Sequence, residues 1–105
     1  MARKVRWTPR AALLLEEVGR RLADESPSAA AKLIADLLEA AESLATLSDR
    51  GRPVPELNDS QYRELLTRNY RLVYRVSPGE VVVIALIHGG RDFRQWWRRF
   101  RWNRT

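Results

Sequence analysis

Residues 70–76 read YRLVYRV, and the apolar run VVVIALIHG follows at residues 81–89. In the first stretch Tyr70, Leu72, Tyr74 and Val76 alternate with Arg71, Val73 and Arg75. This period of two predicts a strand with one packed face and one face that carries arginines. The second stretch is nearly continuous in β-branched and aliphatic residues, which predicts a strand buried on both faces. Pro78 and Gly79 between them favour a tight reversal.

The neighbouring segments extend this hairpin into a sheet. Residues 62–68 predict one more strand, so that three strands form an antiparallel meander. The preceding residues 48–61, SDRGRPVPELNDSQ, are rich in turn formers and predict a loop. At the other end of the chain, residues 4–8 alternate and predict a short edge-type strand.

Two helix starts lie between this first strand and the loop. Thr8 with Pro9, and Ser26 with Pro27, each place an N-cap residue before a proline at the first helical position. The first helix is predicted to end near residues 23–26 and the second at about Leu47. Both carry leucines at helical spacing, and the short link predicts an antiparallel hairpin whose apolar side the sheet must cover.

The sequence therefore predicts one α+β domain over residues 1–105. An antiparallel helical hairpin packs on one face of a mainly antiparallel four-stranded sheet, which consists of the N-terminal strand and the three strands of the meander. The core spans about residues 4–92, and residues 93–105 form a C-terminal basic and aromatic extension. Phe93, Trp96, Trp97 and Phe100 would share one face of a helix there. The second face of the sheet is expected to be open.

Composition narrows the classes of function. The 105 residues include no cysteine and one histidine, which argues against disulfides and transition-metal sites. No cofactor motif and no apolar run of membrane-spanning length is present, so a soluble, unprocessed, cytoplasmic protein is expected without cofactor or metal. The net charge is +6, and only Lys4 and Lys32 are lysines among 19 basic residues. Arginine at this density favours nucleic acid or an acidic protein segment as partner.

The arginines on the strands leave three interpretations open: a solvated face, a catalytic cluster for RNA, or a docking surface for another protein. Alternation places Arg71 and Arg75 on one face, and Arg63 is expected to converge with them from the neighbouring strand. Arg68 lies at a hairpin end, and His88 and Arg91 lie at the end of the last strand.

Four stretches together resemble the RelE/ParE family of toxins from type II toxin–antitoxin systems. They are VRWTPRA at 5–11, DESPSAAAKL at 24–33, GRPVPELNDSQYRELLTRNYRLVYRV at 51–76 and VVVIALIHGGRD at 81–92. The resemblance implies the same fold that was reached from the residues. It also implies a cognate antitoxin with an acidic or amphipathic C-terminal segment. The toxin would contact operator DNA only through this antitoxin.

The family includes two activities. RelE-like members cleave mRNA on the ribosome with basic residues of the sheet face and a tyrosine near the C-terminus. ParE-like members lack that set and poison DNA gyrase. Here the segment FRQWW at 93–97 has no tyrosine, and the indole of Trp97 only donates a hydrogen bond. The resemblance is therefore closer to ParE, and it implies a gyrase-inhibiting toxin rather than an enzyme.

The site residues follow from these alternatives. A ParE-like toxin would dock on gyrase or its antitoxin through Arg63, Arg68, Arg71, Arg75, Arg91, Trp96, Trp97 and Arg98. A RelE-like ribonuclease would use Arg63, Arg68, His88 and Arg91 on ribosome-bound mRNA. A third interpretation is a basic nucleic-acid-binding module without toxicity. Removal of residues 92–105 is expected to weaken target or antitoxin binding.

Overall fold

The computed structural model describes residues 2–102, which form three helices and a five-stranded sheet. The helices are α1 (Pro9–Ala23), α2 (Pro27–Ser43) and α3 (Phe93–Trp102). The strands are β1 (Lys4–Trp7), β2 (Arg52–Pro53), β3 (Tyr62–Thr67), β4 (Tyr70–Ser77) and β5 (Glu80–His88). Across this described range, none of the helices is long and apolar enough to span a membrane.

The sheet has the order β1-β5-β4-β3-β2. Strands β3, β4 and β5 form the predicted antiparallel meander, and β1 pairs in parallel with β5. The prediction of four strands was wrong by one, because β2 lies inside the predicted loop and pairs with Arg63 and Glu64 of β3. Its two residues are too few to show an alternation, and Pro53 is tolerated because β2 is an edge strand.

The helical hairpin packs on one face of the sheet as predicted. Thr8 and Ser26 accept hydrogen bonds from the backbone N–H groups of Ala11 and Ala29, so both predicted N-caps are confirmed. A first core cluster joins the hairpin to the sheet, and in it Leu37 and Leu72 are fully buried. Helix α2 ends at Ser43 instead of Leu47, and residues 44–46 continue as a turn.

Helix α3 covers the other face of the sheet, so the expectation of an open face was wrong. Phe93, Trp97 and Phe100 point inward and are at most 9% exposed. They form a second core cluster with Val73 of β4 and Ile87 of β5, among other residues. The aromatic stripe that the sequence predicted is thus core, and residues 93–102 belong to the domain instead of extending from it. The last three residues of the predicted extension lie outside the described range.

A buried tyrosine fixes the loop before β2. The hydroxyl of Tyr74 donates to the backbone carbonyl of Ser48 at 2.8 Å and accepts from the N–H of Gly51 at 2.9 Å. A Cβ atom on Gly51 would lie 2.5 Å from the carbonyl oxygen of Glu64, so only glycine lets the loop approach the sheet this closely. Burial raises the pKa of Tyr74, which keeps its hydroxyl protonated as a donor.

Candidate functional site

The centre of the α3-covered face holds a buried ion cluster. Arg71 of β4 donates from Nε to Glu64 of β3 at 2.6 Å and from Nη1 to Glu56 at 2.9 Å, and its other terminal nitrogen also contacts Glu56. The Glu64 side chain is 0% exposed and that of Arg71 is 9% exposed. The guanidinium carbon lies 4.2 Å from the centroid of the Phe93 ring. Arg71 therefore bridges β3, the loop before it, and α3.

This cluster corrects the assignment of Arg71 as a docking residue. Alternation did place Arg71 on the predicted face, opposite Leu66 and Ile87. Because α3 covers that face, the arginine is removed from solvent, and a buried charge requires an opposite charge. Glu64, whose burial no sequence pattern indicated, supplies one. The charge of Arg71 is consequently satisfied inside the protein.

The cluster predicts an acid-sensitive stability. The hydrogen bonds from Arg71 hold the pKa of Glu56 below its ordinary value of 4.5, against an opposing effect of burial. Because the pKa of Glu56 is lower in the folded state, its ionised carboxylate stabilises the fold at any pH above the pKa of the unfolded state. This stabilisation is lost as the pH falls through the pKa of the folded state. We expect Glu56→Gln to lower the midpoint of thermal unfolding at pH 7. The deficit should shrink as the pH falls below about 4.5, toward equality with the wild type.

Calorimetry from pH 7 to pH 2.5 measures this difference. Glu39→Gln, an exposed carboxylate on α2, is the matched control and should leave the midpoint nearly unchanged throughout. A Glu56→Gln deficit that stays constant with pH would contradict the assignment.

The structure separates the three strand arginines that the sequence placed together. Arg63 lies opposite Tyr74, on the face toward the helical hairpin, and donates to the carbonyl of Gly51 at 2.6 Å. Arg75 lies on the α3 side with Arg71, and its Nε is buried without a hydrogen-bond partner among the described residues. The predicted convergence of Arg63 with the other two was wrong because the β3–β4 register puts it on the opposite face.

A cleft of about 380 Å³ lies at the β3–β4 end of the sheet, and Arg68, Arg71 and His88 line it. Arg68 forms an ion pair with Asp36 of α2, and it sits in the turn with a φ of 52°. The Nδ1 atom of His88 accepts the N–H of Gly90 at 3.1 Å, and its ring packs edge-on against Tyr70. The structure therefore brings Arg68 and His88 to one cleft, while both arginines there already have carboxylate partners.

Helix α3 divides the remaining predicted site residues. Trp97 is 7% exposed and stacks on Phe93 with ring centroids 5.7 Å apart, so it is a core residue and not a free docking group. Trp96 is half-buried, whereas Arg98 is exposed, as is Arg91 just before the helix. Of the predicted docking set in this segment, Arg91 and Arg98 remain accessible.

An apolar groove that was not predicted from the sequence lies on the outer side of the helical hairpin. The groove has a volume of about 770 Å³ and lies between α1 and α2. Its lining combines small residues such as Ala12, Gly19 and Ala35 with Leu15 and Leu38. Leu38 is 45% exposed and shares the lining with Leu15 and Ile34, so the groove is a contiguous apolar patch of the kind that marks an interaction site. The alanines of α2, among them Ala30, Ala31 and Ala35, are the signal in the sequence that could have indicated this groove.

The described part of the chain contains no cluster of three histidine, cysteine or acidic residues that could hold a metal ion. Its candidate surfaces are thus the apolar groove, the cleft around His88 and the arginine-bearing side of α3.

Comparison with known proteins identifies the class to which this fold belongs. The chain is 31% identical over 96 residues to the protein named toxin Y4kP of Sinorhizobium fredii, covering 90% of this chain and 98% of that protein. It is 36% identical over 86 residues to toxin RelE3 of Caulobacter vibrioides, covering 82% and 94%. These relatives define the class as toxins of the RelE/ParE type.

Residues 5–93 match the family described as the ParE toxin of type II toxin–antitoxin systems, parDE, and the chain belongs to this family. Two solved structures share its fold. The chromosomal ParDE system of P. aeruginosa superposes with a TM-score of 0.71 at 20% identity, covering 83% of this chain and 96% of that one. The RelBE2 toxin–antitoxin complex of Mycobacterium tuberculosis superposes with a TM-score of 0.63 at 23% identity, covering 84% and 92%.

Proposed function

We propose that this toxin acts in the cytoplasm as a ParE-like inhibitor that poisons DNA gyrase by binding it, and that a cognate antitoxin neutralises it. The observation that carries the choice is the buried cluster of Arg71 with Glu64 and Glu56. In a RelE-like ribonuclease the basic groups of this sheet face would have to be available to the phosphate of the RNA. Here the arginine is occupied by two carboxylates and covered by α3.

The electrostatics of the covered face argue against phosphate chemistry there. A phosphorane carries negative charge, and its stabilisation requires cationic groups aimed at it. Glu64 at the centre of the face would repel such a charge, and opening the face would break the contact between Arg71 and Phe93. The segment FRQWW at 93–97 contains no tyrosine, and an indole such as that of Trp97 does not transfer protons at neutral pH. These features support a protein that works by docking.

The apolar groove between α1 and α2 suits the antitoxin. Helix-in-groove recognition uses an amphipathic helix whose apolar side fills such a groove. Glu16 and Arg20 flank the apolar lining and would contact the polar edges of that helix. The net charge of +6 would speed association with an acidic segment. One structural relative is a toxin–antitoxin complex and the other is a ParDE toxin–antitoxin system, and we assign this groove of the present chain to an antitoxin.

Filling the groove should block the antitoxin. We expect Ala35→Trp, an exposed groove position, to raise the antitoxin dissociation constant at least about tenfold, because the indole occupies the space that an incoming helix needs. Isothermal titration with the cognate antitoxin measures this change. Ser28→Trp, exposed on the first turn of α2 outside the groove, adds the same side chain and should bind like the wild type. Equal affinity of both variants would place the antitoxin elsewhere.

The test of the proposed function compares two targets with the same purified protein. Gyrase and relaxed plasmid are incubated with the toxin, and covalent gyrase–DNA cleavage complexes are quantified. In parallel, mRNA from a translating extract is mapped by primer extension. We expect stabilised cleavage complexes and intact mRNA. When the antitoxin is added first, the cleavage complexes should disappear and the mRNA should stay intact. Codon-phased cuts in ribosome-bound mRNA without stabilised cleavage complexes would overturn the proposal, and Arg68, His88 and Arg91 would then be mutated.

A further inference from the structure

The exposed side of α3 is a continuous arginine surface. The inward side of the helix is occupied by Phe93, Trp97 and Phe100. Arg94, Arg98 and Arg99 are exposed on the outward side, and within the described residues none of them forms an ion pair with a carboxylate. The ten residues of the helix include no aspartate or glutamate. This contrasts with Arg68 and Arg71, which have internal partners.

The arginines continue beyond the outward side of the helix. Arg91 is exposed two residues before it, and Asp92 between them accepts a hydrogen bond from the N–H of Gln95 in the first turn. Arg10 of α1 lies against its far part, with its guanidinium 4.4 Å from the centroid of the Phe100 ring and a hydrogen bond to the Phe100 carbonyl. With a rise of about 1.5 Å per residue, Arg94 and Arg98 stand roughly 6 Å apart along the axis. The surface is a line of cations held by a rigid, packed helix.

We propose that this surface binds the phosphate backbone of duplex DNA. Arginine forks match phosphate oxygens, and a line of cations on a helix fits a regularly charged polymer better than a single acidic site. Single-strand binding would require freely exposed aromatic rings on which bases stack. Among the aromatic rings of α3 whose exposure is described, Phe93, Trp97 and Phe100 are buried, and Trp96 is half-buried and stacks on Phe100. The contact is therefore to the backbone and carries no sequence preference.

The choice of DNA over another polyanion rests on the proposed function, since gyrase holds duplex DNA next to any protein bound at its cleavage site. The surface also lies on a different element from the α1–α2 groove assigned to the antitoxin. A toxin could therefore contact gyrase-bound DNA through α3 while its affinity for the antitoxin depends on the hairpin. In the ternary complex the arginines would add affinity without recognising a base sequence.

The experiment is a fluorescence-anisotropy titration with the full chain of a labelled random 20-base-pair DNA duplex and, separately, of an RNA duplex of the same length. Each titration is repeated from about 50 to about 200 mM salt. The test variant is Arg94→Gln/Arg98→Gln/Arg99→Gln. The matched control is Arg6→Gln/Arg21→Gln/Lys32→Gln, which removes the same charge from exposed positions on β1, α1 and α2. A third variant, Arg94→Lys/Arg98→Lys/Arg99→Lys, keeps the charge. Circular dichroism verifies that each variant is folded.

We expect the α3 variant to weaken DNA binding about tenfold or more and to reduce the slope of log K against log salt by about 3, one unit for each lost phosphate contact. The control should keep the wild-type slope, and the lysine variant should keep most of it. Equal losses in the α3 and control variants, no binding by the wild type, or preferential binding of an RNA duplex would each overturn the proposal. Because the titration contains no gyrase, its failure would leave the gyrase proposal standing. A negative result in the gyrase cleavage assay would likewise leave a measured DNA affinity of the α3 surface unchanged.

Discussion

Replacing Trp97 by alanine is expected to lower the free energy of unfolding by about 3–5 kcal/mol, the usual cost of removing a buried large aromatic residue. Trp97 is 7% exposed, stacks on Phe93 and Phe100, and meets Tyr62 of β3 edge-on with ring centroids 5.4 Å apart. The substitution leaves a cavity between α3 and the sheet that these neighbours cannot close. Urea unfolding followed by circular dichroism measures the loss.

The control is Arg98→Ala, the next residue on the same helix, which is exposed. It should change the free energy of unfolding by no more than about 0.5 kcal/mol, as surface substitutions usually do. A Trp97→Ala loss within about 1 kcal/mol of this control would mean that α3 is not part of the core.

Removal of residues 92–105 would likewise affect the fold and not only the binding of a target or antitoxin. That deletion exposes the second core cluster, so we expect an unfolded chain and not a folded toxin without its docking segment.

Replacing Arg71 by methionine is expected to cost about 3–5 kcal/mol, because removal of one partner leaves the other charge buried and uncompensated. Glu64 would retain Arg52, whose Nε donates to it at 2.8 Å, but that arginine side chain is 57% exposed and reaches only one carboxylate oxygen. The lost contact with Phe93 adds to the effect. Chemical denaturation at pH 7 measures the change.

The double variant Glu64→Leu/Arg71→Met separates the effect of an uncompensated carboxylate on stability from the effect of lost packing. Apolar replacement of a whole buried ion pair is often neutral or stabilising, so most of the lost stability should return. Arg52→Met is the companion control, since it removes the exposed partner of Glu64 and should cost roughly 0–1 kcal/mol. If the double variant were less stable than Arg71→Met alone, the single-variant loss would come from packing and not from an uncompensated carboxylate.

The strands and the helical hairpin could be predicted because each shows its structure locally. Alternation in β4, the apolar run of β5 and the two capped proline starts of α1 and α2 are patterns within one element. The β3–β4 reversal was less visible. Arg68 was assigned to a strand, whereas Arg68 and Asn69 are the two central turn residues with φ of 52° and 67°. Positions with positive φ usually take glycine or asparagine, so an arginine at the first of them gave no signal for a turn.

The candidate site could not be predicted to the same extent, because it depends on which elements meet. The aromatic stripe of α3 was visible, but nothing in it says which face of the sheet it covers. That contact decides whether Arg71 is a surface group or a buried one. The partner Glu64 is a second such case, since its burial depends on the register that places it opposite Val73. The groove between α1 and α2 is a shape made by two helices, and a list of alanines does not define it.

Native-state amide hydrogen exchange of the free protein tests the central structural claim, that α3 permanently closes the second face of the sheet. If α3 is core, the amides of Trp97 and Phe100 should exchange only by global unfolding. Their opening free energy should then match that of Val73 and Tyr74 in β4 within about 1 kcal/mol. Exchange of the α3 amides through a local opening several kcal/mol below that of β4 would contradict the account. The sheet face with Arg71 would then be accessible, and a RelE-like chemistry on it would have to be reconsidered.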